Sequence, residues 1–184
     1  LHSYNKINLV PFGEFLPLEN LLKKFGLKSL TNNYHSFTKG SKRNIIEISK
    51  DNFSFKILPL ICYEIIYSGK LFNNPDFDLI INLSEDGWFG KSLGPKQHFD
   101  HSIFRAIESG KYIIRSSNNG IAGIINPIGF VEQRVNFGKS GYIDFKGMKK
   151  IQPTIFSLYG NKIFLLVIFL YIVMIFLFNK IKHE

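Results

Sequence analysis

The chain has 184 residues, 45% of them hydrophobic, and a formal net charge of +9. This length suits one domain of ordinary size with an attachment, and a single cysteine excludes an internal disulfide. A positive charge of this size could favour binding to nucleic acid or to an anionic membrane surface. No basic run is longer than two residues and no aromatic–basic RNA motif occurs, so nucleic acid is not an expected partner.

The spacing of apolar residues predicts the elements of the first part of the chain. In order, these are a strand over residues 1–10, a loop at 11–14, an amphipathic helix over 18–30, a polar loop over 31–41, and a hairpin formed by 45–48 and 53–57. The first residue is Leu1 rather than Met, so we expect the chain to be a fragment or a processed piece.

Cys62 follows an apolar strand at residues 58–61, and residues 65–67 are suited to start a helix. A strand-to-helix turn exposes a nucleophilic side chain and leaves backbone N–H groups free beside it. The positive end of a helix also favours a thiolate. The alternative is a structural cysteine packed at the end of a strand, because free cysteine behaves as a small hydrophobic residue.

The second half of the chain alternates between strand and helix patterns. It predicts a buried strand at 78–83, a glycine-rich loop at 84–96, a helix over 97–110, and short strands at 112–115, 121–125 and 130–135. Strands that alternate with helices, two of them apolar on both faces, predict an α/β sheet covered by helices.

The C-terminal segment is the most hydrophobic part of the chain. Residues 163–178 contain no charge or amide, and as a helix they would span about 24 Å of a hydrocarbon core of about 30 Å. Leu158 and Tyr159 can extend this helix, so we predict a transmembrane helix over residues 158–179 and a short tail at 180–184. A buried core helix is the alternative, but the segment is apolar on every side.

A thiolate that attacks a carbonyl needs an activating base and a cation or N–H groups for the oxyanion. The candidate histidines are His2, His35, His98 and His101. His98 and His101 would share a helix face, but surface or capping positions are the simpler interpretation of such a pair, and no third metal ligand accompanies it. The other option is a lysine with carboxylates, supplied by Lys6, Glu14 and Glu64, although composition alone makes Lys6 and Glu14 surface charges.

Residues 4–14 (YNKINLVPFGE) resemble the lysine motif of the nitrilase, or carbon–nitrogen hydrolase, superfamily, and more narrowly that of the apolipoprotein N-acyltransferase family. Residues 60–64 (LICYE) resemble its nucleophile motif. Further matches follow in the family's order, namely DGWFG at 86–90, GP at 94–95, QH at 97–98, RA at 105–106, Glu108, Arg115 and NNG at 118–120. The resemblance implies that residues 1–157 are the C-terminal part of a nitrilase-like α-β-β-α sandwich, here incomplete.

The resemblance also implies roles for the matching residues. Cys62 would be the nucleophile, and Lys6 would stabilise the oxyanion together with the backbone N–H of Tyr63. Glu14 would support Lys6, while Tyr63 and Glu64 would shape the surroundings of the nucleophile. No metal or cofactor is implied.

The loop at Trp88 and Phe89 has two interpretations. The resemblance implies that it lies near the membrane and admits lipid substrates, whereas a glycine-rich loop with a buried tryptophan is the ordinary alternative. Arg105 and Glu108, one helical turn apart, are expected to be a structural pair.

The implied reaction takes an acyl chain from a phospholipid and transfers it to a diacylglyceryl-cysteine lipoprotein through a cysteine thioester. The location would be the bacterial inner membrane, with the catalytic domain on the periplasmic side and Lys180 and Lys182 in the cytoplasm. The alternatives are a membrane-anchored nitrilase-type amidase and a truncated, non-catalytic remnant.

Two features depart from the family. The family has a general-base glutamate and membrane helices upstream of the lysine, whereas this chain begins five residues before Lys6, and Glu14 and Glu64 match other positions. We therefore expect this chain to be inactive alone. In addition, Glu85 precedes Asp86 where the family commonly has asparagine.

Overall fold

A computed structural model of the chain describes residues 2–25, 36–50, 53–69, 76–147 and 149–183. Within these ranges, six strands form a single mixed sheet in which they lie side by side in chain order. The strands are β1 (Ile46–Lys50), β2 (Phe53–Ile61), β3 (Leu79–Glu85), β4 (Tyr112–Asn118), β5 (Ala122–Ile125) and β6 (Val131–Val135). The three central strands, β2 to β4, are parallel, and the outer pairings are antiparallel.

The helices connect and flank this sheet. They are α1 (Glu19–Lys24), α2 (Gly94–Ser109), α3 (Ile155–Tyr159) and α4 (Lys162–His183), with two short 3-10 helices at Cys62–Ile66 and Gly87–Phe89. Parallel strands need crossover connections, and α2 supplies the crossover between β3 and β4. The predicted α/β fold, hairpin, buried strand and helix after the glycine-rich loop are thus confirmed, while the hairpin's tip at residues 51–52 lies outside the described residues.

Alternate residues of the central strands build two separate apolar clusters. Leu60, Ile80 and Ile113 pack on the face covered by α2, where they meet Phe99. The opposite face carries a second cluster formed by Ile57, Leu79, Tyr112 and Ile124, with Ile143 and Phe145 packed against it. The sheet therefore holds the carboxyl ends of three parallel strands in fixed positions, which is where α/β folds place their sites.

The strand predicted over residues 1–10 is wrong, because residues 2–10 form no strand. Their backbone N–H groups bond to carboxylates instead of a neighbouring strand: Ile7 and Asn8 donate to Glu64, and Val10 donates to Glu14. The helix predicted over residues 18–30 is described only as α1, and residues 26–35, including His35, lie outside the described residues.

The glycine-rich loop is shorter than predicted. Strand β3 continues to Glu85, a 3-10 turn occupies Gly87–Phe89, and α2 already begins at Gly94. Pro95 favours this early start, because a proline in the first helical turn lacks only an N–H group that would have no helical partner.

The C-terminal segment forms a 22-residue helix, α4. Leu158 and Tyr159 do not extend it, since they belong to α3, which ends at Gly160 with φ of 54°. Within the described residues, α4 is the one helix long and apolar enough to cross a membrane, over Lys162–Asn179, and none of that stretch is buried against the rest of the chain.

Gly110 ends α2 and contacts the segment that leads to α3, because its carbonyl oxygen accepts the N–H of Ile151 at 2.9 Å. Its φ is 65°, and a Cβ there would lie 2.5 Å from the carbonyl oxygen of Ile151. Gly110→Ala should therefore lower the free energy of unfolding by about 2–4 kcal/mol, combining strain with the clash. Gly138→Ala is the matched control, because its φ is 71° but a Cβ would meet no atom within 4 Å. Urea unfolding in detergent micelles measures both, and equal losses would exclude the clash.

Candidate active site

Cys62 lies at the end of β2, where the chain turns sharply into the 3-10 helix Cys62–Ile66. Its φ is 50°, a conformation that residues other than glycine rarely adopt and that commonly marks functional turns. The thiol is free and partly buried, and its Sγ lies 3.8 Å from the carbonyl oxygen of Glu85. The sequence-predicted turn is therefore present, although its helix is of the 3-10 type.

Glu64 is fully buried and connects this turn to the N-terminal segment. Its carboxylate accepts hydrogen bonds from the backbone N–H groups of Ile7 (2.9 Å) and Asn8 (3.2 Å). It also accepts one from the N–H of Ile61, three residues earlier, at 2.9 Å. One side chain thus joins the two residues that follow Lys6 to the residue that precedes the nucleophile.

Two further side chains satisfy the same carboxylate. Arg43 approaches Glu64 through Nη2 at 3.0 Å, and the Tyr4 hydroxyl donates to both carboxylate oxygens at 3.0 and 3.1 Å. Burial raises the pKa of Tyr4 to about 12, and the negative charge of Glu64 adds to this effect. Arg43 acts in the opposite direction but does not outweigh them. Tyr4 therefore keeps its proton and remains a donor at neutral pH.

Lys6 and Glu14 form a second fixed pair. Lys6 is only 9% exposed, and its Nζ lies 2.7 Å from Glu14 Oε1. The other oxygen of Glu14 accepts the backbone N–H of Val10 at 2.9 Å. The interpretation of these two residues as surface charges is therefore wrong: they are a partly buried ion pair with a defined geometry.

A cavity of about 440 Å³ opens beside the thiol. Its walls include Cys62, Tyr63, Glu14, Trp88, Phe89 and His98. Lys6 is not among the described residues that line the cavity, but its ion pair with Glu14 connects it to the cavity wall. Trp88 is 65% exposed at the rim, so the interpretation of a buried tryptophan is wrong.

Asp86, which follows β3, is the centre of a buried polar cluster on the other side of the nucleophile. Its two carboxylate oxygens lie 2.7 Å from Arg115 Nη2 and 2.8 Å from His98 Nδ1, and they accept the hydroxyls of Ser84 and Ser117 at 2.7 and 2.8 Å. Burial alone would raise the pKa of Asp86, but these donors and the Arg115 charge outweigh it and hold the pKa well below its usual range. Asp86 is therefore ionised.

His98 connects this cluster to the nucleophile. It is 4% exposed, and its Nε2 lies 3.2 Å from the backbone carbonyl oxygen of Cys62. Surface or capping is thus the wrong interpretation of His98. Burial lowers the pKa of Arg115, and the charge and hydrogen bond of Asp86 oppose this effect.

Comparison with known proteins extends this picture. The sequence matches the family described as carbon–nitrogen hydrolase over residues 1–153. This chain belongs to the carbon–nitrogen hydrolase family. The NitN amidase of Nesterenkonia sp. AN1 superimposes with a TM-score of 0.50 over 90% of this chain and 56% of that chain, at 14% identity, which shows a shared fold.

Curated relatives narrow the comparison. A Rickettsia prowazekii protein named apolipoprotein N-acyltransferase is 41% identical over 186 residues, covering 100% of this chain and 36% of that protein. A Bradyrhizobium diazoefficiens protein of the same name is 40% identical over 162 residues, covering 88% of this chain and 30% of that protein. The chain thus spans about a third of the length of these relatives, and the resemblance recognised from its motifs is confirmed.

Other predicted residues have clear positions in this member of the carbon–nitrogen hydrolase family. The pair of Arg105 and Glu108 is present at 2.8 Å, and Glu108 also accepts the backbone N–H of Gly69 at 2.6 Å. His101 lines the cavity, and burial followed by the charges of Arg105 and His98 lowers its pKa. His2 contributes to none of these contacts. No group of three or more His, Cys, Asp or Glu that could hold a metal occurs in the described ranges.

Sequence reasoning missed the cluster around Asp86. One signal could have found it: Asp86 follows β3, and Arg115 lies in the neighbouring parallel strand, so polar residues from both meet near the carboxyl edge of the sheet. It also missed Arg43 as a partner of Glu64, because a residue 21 positions away in a polar segment carries no signal of contact.

Removing the charge of Glu64 should loosen the whole site. Glu64→Gln replaces one carboxylate oxygen with an NH₂ group, which cannot accept hydrogen bonds from the surrounding N–H groups and Arg43. We therefore expect the free energy of unfolding to fall by about 3–5 kcal/mol. Glu47→Gln is the control, since the Glu47 carboxylate is exposed and, among the hydrogen bonds of the described residues, accepts the hydroxyl of Ser54. Urea unfolding in detergent compares the two, and a loss below about 1 kcal/mol for Glu64→Gln would contradict its central position.

Asp86 predicts a pH dependence of stability. Its pKa is lower in the fold than in the unfolded chain, so at acidic pH the unfolded chain binds more protons. The stabilisation is complete above the ordinary aspartate pKa of about 4 and is lost as the pH falls below it. Asp86→Asn should flatten the dependence of unfolding free energy on pH between about pH 2 and pH 5. Asp144→Asn, at an exposed site, should leave the slope unchanged; an unchanged slope for Asp86→Asn would refute the assignment.

Proposed function

We propose that the chain is the C-terminal part of a membrane-bound N-acyltransferase that finishes bacterial lipoproteins. The observation that carries the proposal is the strained Cys62 turn opening into a largely apolar cavity next to the Lys6–Glu14 pair. An acyl chain needs an apolar cavity, and a thiol nucleophile needs donors for an oxyanion. The names of the 40–41% identical relatives support the same activity.

In the first step, Cys62 Sγ attacks the ester carbonyl of a phospholipid. The carbonyl oxygen becomes an oxyanion, stabilised by Lys6 and by the backbone N–H of Tyr63. The ester C–O bond then breaks, a C–S thioester bond remains on Cys62, and the proton from the thiol leaves with the lysophospholipid. Glu14 holds Lys6 in place, because its carboxylate accepts hydrogen bonds from Lys6 Nζ and from the backbone N–H of Val10.

In the second step, the N-terminal amine of a diacylglyceryl-cysteine lipoprotein attacks the thioester carbonyl. An amide C–N bond forms, the C–S bond breaks, and one amine proton returns to the sulfur of Cys62. The same oxyanion donors serve both steps, because each passes through a tetrahedral intermediate at the same carbon.

The general base is assigned to a carboxylate outside this chain. Both oxygens of Glu14 are occupied by Lys6 and Val10, and Glu64 is fully buried among donors. Glu85, which also lines the cavity, accepts from Gly87 and Asn118 with its two oxygens. We therefore assign the base to a glutamate in sequence that precedes Leu1, as the family resemblance implies. The isolated 184 residues should be inactive.

The membrane arrangement forms part of the proposal. Residues 1–157 would form the catalytic part on the periplasmic side of the inner membrane, α4 would cross the membrane, and residues 180–184 would be cytoplasmic. The apolar, fully unburied surface of α4 supports a lipid environment. The exposed Trp88 and the 40% exposed Phe89 at the rim of the cavity support a path for lipid into the site.

A complementation experiment tests the proposal. Cells depleted of their N-acyltransferase receive the protein as encoded, with any coding sequence upstream of Leu1, and N-acylation of a lipoprotein is followed by mass spectrometry. The parent should restore acylation and trap a phospholipid-derived acyl group on Cys62. Cys62→Ser should lower acylation by at least about 10³-fold. Acylation by Cys62→Ser at the parental rate would exclude the thioester mechanism. Release of ammonia from small amides without acylation would favour an anchored amidase.

A further inference from the structure

The peptide group between Cys62 and Tyr63 carries two hydrogen-bonding groups, the carbonyl oxygen of Cys62 and the N–H of Tyr63. It is trans, as are all described peptide bonds, so the carbonyl oxygen of Cys62 and the N–H of Tyr63 point in opposite directions from one rigid plane. Any group that fixes the oxygen therefore also fixes the direction of the N–H. That N–H is the backbone donor assigned above to the oxyanion.

The conformation of this peptide needs support from outside. Cys62 has a φ of 50°, which a cysteine adopts only when its surroundings hold it there. The following helix is a short 3-10 helix, whose internal hydrogen bonds have poorer geometry than those of an α-helix. A carbonyl oxygen has two lone pairs, so a bond from a side chain can add to the bond from within the helix.

His98 provides that side-chain bond. Its Nε2 lies 3.2 Å from the Cys62 oxygen, and because a carbonyl oxygen only accepts, Nε2 carries the hydrogen in this contact. The ring is itself fixed, since Nδ1 lies 2.8 Å from Asp86 and 3.2 Å from Arg115 Nη2. The Phe89 ring packs edge-to-face with the imidazole, with ring centroids 5.6 Å apart.

The contacts form one continuous chain of groups. Arg115 and the hydroxyl of Ser84 fix Asp86, Asp86 fixes the imidazole, and the imidazole fixes the Cys62 oxygen. A hydrogen bond to a peptide oxygen also polarises the N–H on the other edge, which strengthens that N–H as a donor.

We propose that His98 is a positioning residue for acyl transfer: by holding the carbonyl of Cys62, it aims the N–H of Tyr63 at the oxyanion. The inference rests on the proposed function, because only a reaction that passes through an oxyanion uses this N–H. It assigns His98 no proton transfer and no contact with the substrate.

Two reactions of the Cys62 thiol distinguish a loss of the direction of the Tyr63 N–H from a general loss of the structure of the site. Thioester formation from a phospholipid requires an oxyanion donor, whereas alkylation by iodoacetamide displaces iodide at a CH₂ carbon and requires only an accessible thiolate. The protein as encoded, purified in detergent, is used for both rates. A variant that loses only the N–H direction should slow the first reaction and spare the second.

The test compares two amide side chains at position 98. His98→Asn places its amide near the position of Nδ1 and cannot reach the Cys62 oxygen, so thioester formation should fall by about 10- to 100-fold, below the loss seen when an oxyanion donor is deleted. His98→Gln places an N–H near the position of Nε2 and should stay within about 5-fold of the parent. Alkylation should change by less than about 3-fold in both variants. Lys96→Gln, exposed on the same helix, is the control and should match the parent.

Other outcomes overturn the inference. Equal losses in thioester formation and alkylation would give His98 only a structural role, and no loss in His98→Asn would give it none. A parent protein that alkylates but forms no thioester would overturn the proposed function itself. Should His98→Asn fail to fold, Ser84→Ala replaces it, because this change removes one donor from Asp86. It should slow thioester formation by about 3- to 10-fold at an unchanged alkylation rate, and an unchanged thioester rate refutes the inference.

Discussion

The buried carboxylate of Glu64 is the contact on which the rest of this site depends. A buried charge is unfavourable unless donors surround it, and here the donors come from three separate parts of the chain. They are the N-terminal segment, with the Tyr4 hydroxyl and the backbone of residues 7 and 8, then the side chain of Arg43, and then the backbone of Ile61. The need to satisfy one charge thus brings the loop that contains Lys6 against the turn that contains Cys62.

Asp86 performs the same task on the opposite side of the nucleophile. Glu64 fixes the residue before Cys62, while Asp86, acting through His98, fixes the peptide after it. Two fully buried carboxylates therefore hold the two ends of one strained residue. Neither carboxylate needs to contact a substrate, because their effect is to keep the thiol and the neighbouring N–H in a geometry that the local sequence alone would not adopt.

The sequence predicted the sheet and the turn well because these follow from local patterns. The continuous apolar runs of β2 and β3, the first of which leads into Cys62, are visible within a few residues. The N-terminal strand was wrong because the partners of Ile7 and Asn8 are a side chain 56–57 residues away. His98 was misjudged for the same reason: a helix period does not show that its ring meets the carbonyl of Cys62, 36 residues earlier. Long-range polar contacts leave no periodic signal.

A contact between Gly69 and Gly160 determines where the apolar helix α4 leaves the domain. A Cβ on Gly69 would lie 3.1 Å from Gly160, so the segment that leaves the nucleophile turn approaches the chain two residues before the apolar helix begins at Lys162. Gly69 and Gly160 are 91 residues apart (160 − 69), and closing a loop of that length costs about 4 kcal/mol of chain entropy. The end of α2 links the two segments, because the Glu108 side chain accepts the N–H of Gly69 and the Glu108 carbonyl oxygen accepts the N–H of Thr154. These contacts hold the start of α4 close to the segment that follows the nucleophile turn.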